Sequence, residues 1–222
     1  TLKPEFEARQ VEIFGKMALK GYIYKGRRVV YWCPEDQTAL AEAEIEYGED
    51  PCDSIYVRFK LTADPNGVLA AAGVPLDRAW VVIWTTTTWT LPANVATCVH
   101  PDLDYVFVKV GEDYHLMAEG RVQATMAACG ITDYTVLDAR VPGRELELME
   151  YQHPFLDRKG LVILGNHVTL ESGTGCVHTA PGHGEDDFNA CVPYPQLPFV
   201  MPVDAAGRLT EEGGRELCLI HI

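Results

Sequence analysis

The sequence lacks the features of an exported, membrane-spanning or zinc-binding protein. No apolar run approaches the roughly 20 residues needed to cross a bilayer, and no charged and then apolar leader precedes Pro4,. The 7 cysteines form no Cys-x-x-Cys pair, which argues against both a zinc ribbon and a complete disulfide framework. We therefore expect a cytoplasmic protein with reduced thiols, no metal and no cofactor.

Positive charge is also scarce. Lys and Arg number 18 against 32 Asp and Glu, giving a formal net charge of −14 at pH 7. Because affinity for nucleic-acid phosphates comes mainly from Lys and Arg, we expect the chain alone to bind a nucleic acid weakly. The length of 222 residues allows one sizeable core and one small appended subdomain,.

The N-terminal segment is predicted to begin with a helix. Residues 4–20 have apolar side chains near helical spacing, and Gly21 is placed to end the helix,. Residues 22–32 predict a hairpin, and the alternation of apolar and acidic residues over 43–47 predicts a half-buried strand,. We assign residues 1–50 to a junction subdomain made of this helix and hairpin.

Residues 51–222 are predicted to form the main domain, which is rich in strands. Helices are fewer, chiefly over 119–129 and from the acidic run 185–187 onward,. This pattern predicts an α+β fold that is β-rich and barrel-like, with a few peripheral helices. The predicted strands cover residues 55–61, 80–84, 105–110, 134–141 and 161–164,.

A first motif, TTTTWTLPAN, occupies residues 85–94 directly after the predicted strand 80–84. It clusters hydroxyl groups where the chain leaves the sheet, and strand ends and loops are common positions for functional groups. Hydroxyls there can hold a water or a ribose edge without adding charge. Threonine is also an ordinary strand residue, so the tract alone does not establish a site.

A second motif, GTGCVHTAPGHGEDDF, occupies residues 173–188. A short apolar strand ends at His178 and runs into a Gly/Pro turn, after which the acidic run opens a helix. The carboxylates are therefore expected at a helix N-terminus near the rim of a cleft. His178, His183 and the acidic residues lie close in sequence, but their spacing fits no zinc pattern, so we expect no metal.

Together the two motifs closely resemble the editing domain of isoleucyl-tRNA synthetases, which hydrolyses valine mischarged onto isoleucine tRNA. The resemblance extends over nearly the whole chain, from residues 6–8 and 14–17 to 202–208. It implies an aminoacyl-tRNA ester hydrolase that releases valine and intact tRNA. The implied partners are the valine-carrying 3′ end of isoleucine-accepting tRNA and the rest of the synthetase chain, with no membrane.

The resemblance also implies the roles of individual side chains. Asp187 would bind the substrate ammonium, whereas Asp186 would only complement the helix N-terminus. The catalytic set is Asp187, Thr85, Thr86 and Thr87, in which the threonines position water and the terminal adenosine; the substrate-binding set is His178, Trp89, Thr90 and Asp187, in which the first three form the pocket wall. For Trp89 a place in the core is nearly as well supported. The general base stays open between His183 and a ribose hydroxyl of the substrate.

Two departures from the family pattern keep alternatives open. Thr88 stands where the family usually has proline, and residues 213–222 do not resemble the family's continuation. One alternative is therefore a non-catalytic module that binds the tRNA acceptor end. Another is editing of threonine by a valyl-type enzyme, although those enzymes usually have lysine at the position of His178. The start at Thr1 and the missing ATP-site signatures suggest an internal fragment that does not aminoacylate.

Overall fold

The computed structural model describes residues 2–49 and 51–218. Its helices are α1 (Pro4–Leu19), α2 (Val68–Ala71), α3 (Val122–Ala128) and α4 (Glu185–Cys191). Its strands are β1 (Tyr31–Cys33), β2 (Thr38–Leu40), β3 (Ile55–Ala63), β4 (Ala79–Thr85), β5 (Ala96–Val99), β6 (Asp104–Val110), β7 (Asp113–Ala118), β8 (Thr135–Pro142), β9 (Glu150–Gln152), β10 (Lys159–Leu164) and β11 (Cys176–Thr179). The predicted β-rich α+β class is confirmed.

A closed barrel lies at the centre of the fold. Strands β11, β5, β10, β9, β3 and β4 are neighbours in this order, and β11 closes the ring by pairing in parallel with β4 through Val177 and Trp84. Beyond β4 the sheet continues through β7, β6 and β8. The barrel brings the end of β4, where the threonine tract begins, beside β11, which carries His178.

Strand β4 is apolar along its length because both of its faces are covered. Val81 and Ile83 lie in the barrel core with side chains such as Phe59, whereas Val82 packs with Met126 of α3 on the other face. Near-continuous apolar strands are typical of sheets buried on both sides. The buried strand therefore gives the tract at its end a rigid base.

The predicted bounds of the N-terminal helix are confirmed. None of its side chains is buried. Helix α1 ends one residue before Lys20, and Gly21 follows with a φ of 76°, which glycine adopts without strain. Phe6 and Phe14 are exposed. The amphipathic pattern therefore predicted the helix correctly but not a covered face.

The prediction of a hairpin over 22–32 is wrong in position. The hairpin is formed by β1 and β2, with Cys33 paired to Thr38. Its turn covers residues 34–37 and includes Gln37 at a φ of 52°. The backbone N–H of Asp36 donates to Cys33 Sγ at 3.5 Å, so local polar contacts in the turn, rather than Lys25 and Gly26, set the position of the hairpin.

The predicted strand over 43–47 is also wrong. Residues Glu42–Glu44 form a 3₁₀ turn instead. The carboxylate of Glu44 accepts a hydrogen bond of 2.7 Å from the backbone N–H of Ala41, a local side-chain cap that competes with sheet pairing. Residue 50, the predicted boundary, and residues 219–222 of the atypical tail lie outside the described residues, so the division at 50 stays a prediction.

Candidate functional site

The threonine tract forms a turn at the end of β4. Thr85 is buried, and its Oγ1 accepts a hydrogen bond of 3.0 Å from the backbone N–H of Thr87. Thr86 is exposed and Thr87 is half-buried. Of the three predicted catalytic threonines, Thr86 and Thr87 therefore have side chains within reach of a ligand from solvent, whereas Thr85 shapes the turn.

Thr88 opens the 3₁₀ helix Thr88–Ala93 and is exposed. The turn before it is closed by Thr90, whose backbone N–H and Oγ1 both bond the carbonyl of Thr87, at 3.3 Å and 2.8 Å. Although residue 88 is threonine and not proline, two hydrogen bonds therefore hold this turn.

His178 joins the two motifs. The residue is 7% exposed, its Nε2 lies 3.0 Å from Thr90 Oγ1, and its Nδ1 lies 2.8 Å from Asn94 Nδ2. Thr90 and Asn94 both lie within the first motif, residues 85–94. Both ring nitrogens are thus bonded inside the protein, so His178 presents ring carbon rather than a free nitrogen to a ligand.

The hydrogen-bond partners fix the tautomer of His178. Asn94 Nδ2 also donates to the carbonyl of Ala96 at 2.9 Å, and Asn94 Oδ1 accepts from Tyr151 Oη at 2.7 Å. A flipped amide would turn Oδ1 toward the Ala96 carbonyl, so Nδ2 must face His178 and Nδ1 must accept. Because Thr90 donates its one proton to Thr87, Nε2 carries the ring proton. His178 is therefore neutral.

Burial also keeps a second histidine neutral, His153, which bonds Leu91 of the 3₁₀ helix Thr88–Ala93. His153 is 3% exposed, its Nε2 donates to the carbonyl of Leu91 at 2.9 Å, and its Nδ1 accepts from the backbone N–H of Leu156 at 3.2 Å. Removal from water lowers the pKa of His153 and that of His178 to about 4. Two neutral imidazoles therefore hold the threonine-rich segment.

These two pKa values predict acid-sensitive folding. In the unfolded chain a histidine takes up a proton as pH falls below about 6.5, whereas folded His153 and His178 resist until about pH 4. Their contribution is complete above about pH 6.5, and we expect each to lose about 2 kcal/mol by pH 5. The free energy of unfolding in urea, measured at about pH 6.5 and at about pH 5, gives this loss. His153→Gln should remove about half of it, and equal stability at the two pH values would contradict the prediction.

Helix α4 directs one carboxylate inward and one outward. Gly184 precedes the helix with extended backbone, and Glu185, Asp186 and Asp187 occupy its first turn. Asp186 is exposed, whereas Asp187 is partly buried and accepts a hydrogen bond of 2.9 Å at Oδ2 from the backbone N–H of Ala180. Among residues 2–49 and 51–218 no donor reaches the other oxygen, Oδ1. Asp187 therefore has one oxygen without a donor from the described residues, and its other oxygen is bonded to Ala180, two residues after His178.

Burial raises the pKa of Asp187, and the hydrogen bond from Ala180 opposes that shift. A partly desolvated carboxylate of this kind gains more from a cationic partner than an exposed one does. Helix α4 thus supplies one group suited to bind an ammonium ion. Asp186 lies in the same turn but is exposed, so its carboxylate is not desolvated in this way.

The alternative prediction that Trp89 lies in the core is wrong. The side chain is 42% exposed and stands edge-to-face against His183, with ring centroids 5.2 Å apart and planes at 89°. Burial lowers the pKa of His183, and its Nε2 has no hydrogen-bond partner in the described part of the chain. The two rings line a cavity of about 780 Å³ whose other walls include Trp32 and Met201.

The predicted site residues do not all lie in this cavity. Trp89 lines it, but Thr85, Thr86, Thr87, Thr90, His178 and Asp187 do not. Thr90 is bonded to His178, and the backbone N–H of Ala180, which follows β11, donates to Asp187. The structure thus brings the two motifs together, and Trp89 and His183 line the cavity.

No group of three or more His, Cys, Asp or Glu within the described ranges is arranged to hold a metal ion. Cys98 and Cys176 are buried, and burial raises the pKa of each thiol to about 12. A thiol with so high a pKa is a poor nucleophile near neutral pH. Cys176 is therefore a small core residue.

Sequence reasoning missed three residues of the site. Asn94 lies within the first motif but had no assigned role, and Tyr151 and His153 lie in or directly after β9, far from both motifs in sequence. No local pattern marks Tyr151 or His153. For Asn94 the only signal was its place in the threonine-rich motif.

The family model of class I tRNA synthetases (I, L, M and V) matches residues 1–178. The isoleucine–tRNA ligase of Caldicellulosiruptor saccharolyticus is 54% identical over 215 residues, which are 97% of this chain and 23% of that ligase. The chain thus spans about a quarter of the length of the curated relatives that it matches.

Two solved structures have a similar fold. The GlLeuRS-CP1 crystal structure aligns with a TM-score of 0.53 at 18% identity, covering 62% of this chain and 58% of that one. The editing domain of the cytosolic leucyl-tRNA synthetase of P. knowlesi aligns with a TM-score of 0.51 at 13% identity, covering 64% and 62%. At these identities the likeness concerns the fold alone.

Proposed function

Because the chain belongs to the class I tRNA synthetase family and corresponds to the editing region of isoleucine–tRNA ligases, we propose that it hydrolyses valyl-tRNA mischarged on isoleucine tRNA. Water attacks the carbonyl carbon of the aminoacyl ester, the bond to the ribose oxygen breaks, and that oxygen takes a proton. The products are valine and intact tRNA. At the site where an amino acid is attached to tRNA, one methylene discriminates isoleucine from valine by only about 1–3 kcal/mol. A second site that hydrolyses the wrong product therefore has a chemical purpose.

The hydrogen bond of 3.0 Å between Thr90 Oγ1 and His178 Nε2 is the observation that carries the proposal. It joins the threonine tract to the histidine motif, so groups that position water and groups that bind the amino acid share one rim. Asp187, held by Ala180, supplies the negative charge for the substrate ammonium. A charge-assisted hydrogen bond of this kind is stronger than a neutral one.

We propose that three side chains, of which only Trp89 also lines the cavity described above, form the wall of the amino-acid pocket. His178 is bonded at both nitrogens, so its ring limits the size of the amino acid by contact and not by hydrogen bonding. Thr90 completes the wall beside it, and the partly exposed Trp89 forms the outer part. A wall of locked side chains excludes an extra methylene more sharply than a flexible one does.

The threonines act by positioning, because a hydroxyl is no strong base near neutral pH. Thr86 and Thr87 bind the attacking water and the terminal ribose from the exposed side of the turn. His178 is not the base, since its Nδ1 accepts from Asn94 and its Nε2 already carries a proton. The base is therefore either His183 or a ribose hydroxyl of the substrate, and the gain in rate comes mostly from orientation.

We assign the same limits as the sequence suggested, with a junction over 1–50 and the editing domain over 51–222. The rest of a cytoplasmic synthetase supplies most of the contacts with tRNA, since a chain of net charge −14 attracts phosphates poorly,. This fragment does not aminoacylate.

Single-turnover deacylation tests the proposal. The chain is mixed in large excess with valyl-tRNA, and release of labelled valine is followed. Burst release above the spontaneous rate is expected. Binding of uncharged tRNA without hydrolysis would contradict it and favour the non-catalytic module, and faster hydrolysis of threonyl-tRNA than of valyl-tRNA would favour the valyl-type alternative.

Metal removal should leave deacylation unchanged. No suitable group of ligands occurs in the described ranges, and the proposed chemistry uses hydroxyls and one carboxylate. The rate with EDTA is compared with the rate after dialysis and after addition of zinc. A loss with EDTA that zinc restores would make His178 and His183 metal ligands and overturn this part of the account.

A further inference from the structure

Tyr151 lies at the far end of the buried hydrogen-bond chain that reaches His178. Its Oη donates to Asn94 Oδ1 at 2.7 Å, and Asn94 Nδ2 faces His178 Nδ1 at 2.8 Å. We propose that Tyr151 is a positioning residue, which sets the tautomer and orientation of His178 through Asn94 and thereby sets amino-acid selectivity. The selectivity part of this inference rests on the proposed function.

The ring of Tyr151 has one available position. The residue is 0% exposed, and its ring packs edge-to-face against Phe59 with centroids 4.9 Å apart. On the neighbouring strand Gly160 pairs with Tyr151, and a Cβ built on Gly160 would lie 2.3 Å from Tyr151 Cζ. Glycine therefore leaves the space that the phenol ring fills, and the hydroxyl cannot move away from Asn94.

The phenol of Tyr151 and the carbonyl of Ala96 together set the direction of each bond in the chain. A phenol hydroxyl has one proton to donate, and burial raises the pKa of Tyr151 above its ordinary value, so the group stays a donor at working pH. Asn94 must then turn its oxygen to Tyr151 and its amide nitrogen to both Ala96 and His178. His178 Nδ1 is left as an acceptor, and the ring proton is held on Nε2 opposite Thr90.

Removal of the phenol oxygen should loosen this arrangement without opening the pocket directly. In Tyr151→Phe, Asn94 Oδ1 loses its donor in a buried place, so the amide shifts or admits water, and only the Ala96 carbonyl still opposes its turning,. His178 then populates the Nδ1–H form or takes up a proton more readily. Its ring loses its single orientation against Thr90.

The experiment compares Tyr151→Phe with Tyr105→Phe. Tyr105 is a matched control, since it is also 0% exposed and its Oη bonds only backbone, at Gly175 O and His100 N. Two readouts are taken. One is the ratio of single-turnover deacylation rates on valyl-tRNA and isoleucyl-tRNA, and the other is the ¹⁵N NMR signature of the His178 ring between pH 6 and 8.

For the wild type and Tyr105→Phe we expect an acceptor-type Nδ1, a protonated Nε2 and the same rate ratio. In Tyr151→Phe we expect mixed tautomers or a raised His178 pKa, and a ratio lower by about fivefold, the effect of one buried hydrogen bond. An unchanged tautomer and ratio in Tyr151→Phe would overturn the proposal. Equal changes in both variants would also overturn it, because they would reflect a general loss of stability.

If Tyr151→Phe does not fold, a second variant tests the link between Asn94 and His178 on which the inference depends. Asn94→Asp replaces the donor opposite His178 Nδ1 with an oxygen, so Nδ1 should become protonated; an acceptor-type Nδ1 in this variant would contradict the inferred chain. If the wild type hydrolyses neither charged tRNA, the proposed function fails, whereas the comparison of tautomers still decides whether Tyr151 positions His178.

Discussion

Asp187→Ala should reduce deacylation of valyl-tRNA by roughly 10- to 150-fold, with the fold retained. The variant removes the negative charge that we assign to the substrate ammonium, and hydrogen bonds to charged groups are worth about 1.5–3 kcal/mol. The fold loses the bond of 2.9 Å from Ala180 to Oδ2, about 1.5–3 kcal/mol. Single-turnover rates and melting temperature are measured on the same preparations.

Asp186→Ala is the matched control for this variant. Asp186 occupies the same first turn of α4 and has the same charge, but its side chain is exposed. We expect near-normal deacylation in Asp186→Ala. Comparable rates in the two variants would remove Asp187 from the mechanism, and unfolding of Asp187→Ala alone would give it a structural role.

His178→Ala should let correctly charged isoleucyl-tRNA be hydrolysed. The imidazole fills the space between Thr90 and Asn94, and its removal makes room for the additional methylene of isoleucine. We expect the preference for valyl-tRNA to fall by roughly 10-fold or more, the range that one methylene supplies, while hydrolysis of valyl-tRNA continues in part. The ratio of the two deacylation rates measures the effect.

Loss of a buried side chain also costs stability, about 2–5 kcal/mol for a large residue replaced by alanine. His153→Ala controls for this cost, because His153 is similarly buried and neutral but bonds Leu91 instead of Thr90. Because His153 holds the threonine-rich segment through Leu91, both rates should fall in His153→Ala, but their ratio should match that of the wild type. If both rates fall in His178→Ala and the ratio stays constant, the sieve lies elsewhere, with Trp89 or Thr90 the candidates.

The barrel strands were predictable where burial leaves a clear pattern. Strand β3 alternates and β4 is apolar on both faces, so both were identified. Strand β7 (DYHLMA) is polar over its first half and buried over its second, and β5 has four buried residues only. Short strands of this kind depend on their neighbours in the sheet, so their own sequences do not reveal them.

The candidate site was predictable in part because each motif is contiguous. The choice of Asp187 over Asp186 agrees with their exposure, although the roles of both stay predictions. The bond between Asn94 and Tyr151 joins residues 57 positions apart, and they come together only because β5 and β9 both pair with β10 in the sheet. The position of the hairpin was missed for the opposite reason, since its turn depends on contacts of single side chains.

Deacylation by the unaltered chain tests the central claim most directly. Valyl-tRNA and isoleucyl-tRNA, both charged on isoleucine tRNA, are incubated with excess protein under single-turnover conditions, and the two rates of ester hydrolysis are compared with those of the tRNAs alone. We expect rapid hydrolysis of valyl-tRNA and a rate for isoleucyl-tRNA at least about 10-fold lower. Equal hydrolysis of both, or hydrolysis of neither, would contradict the assignment of this barrel rim as a selective editing site.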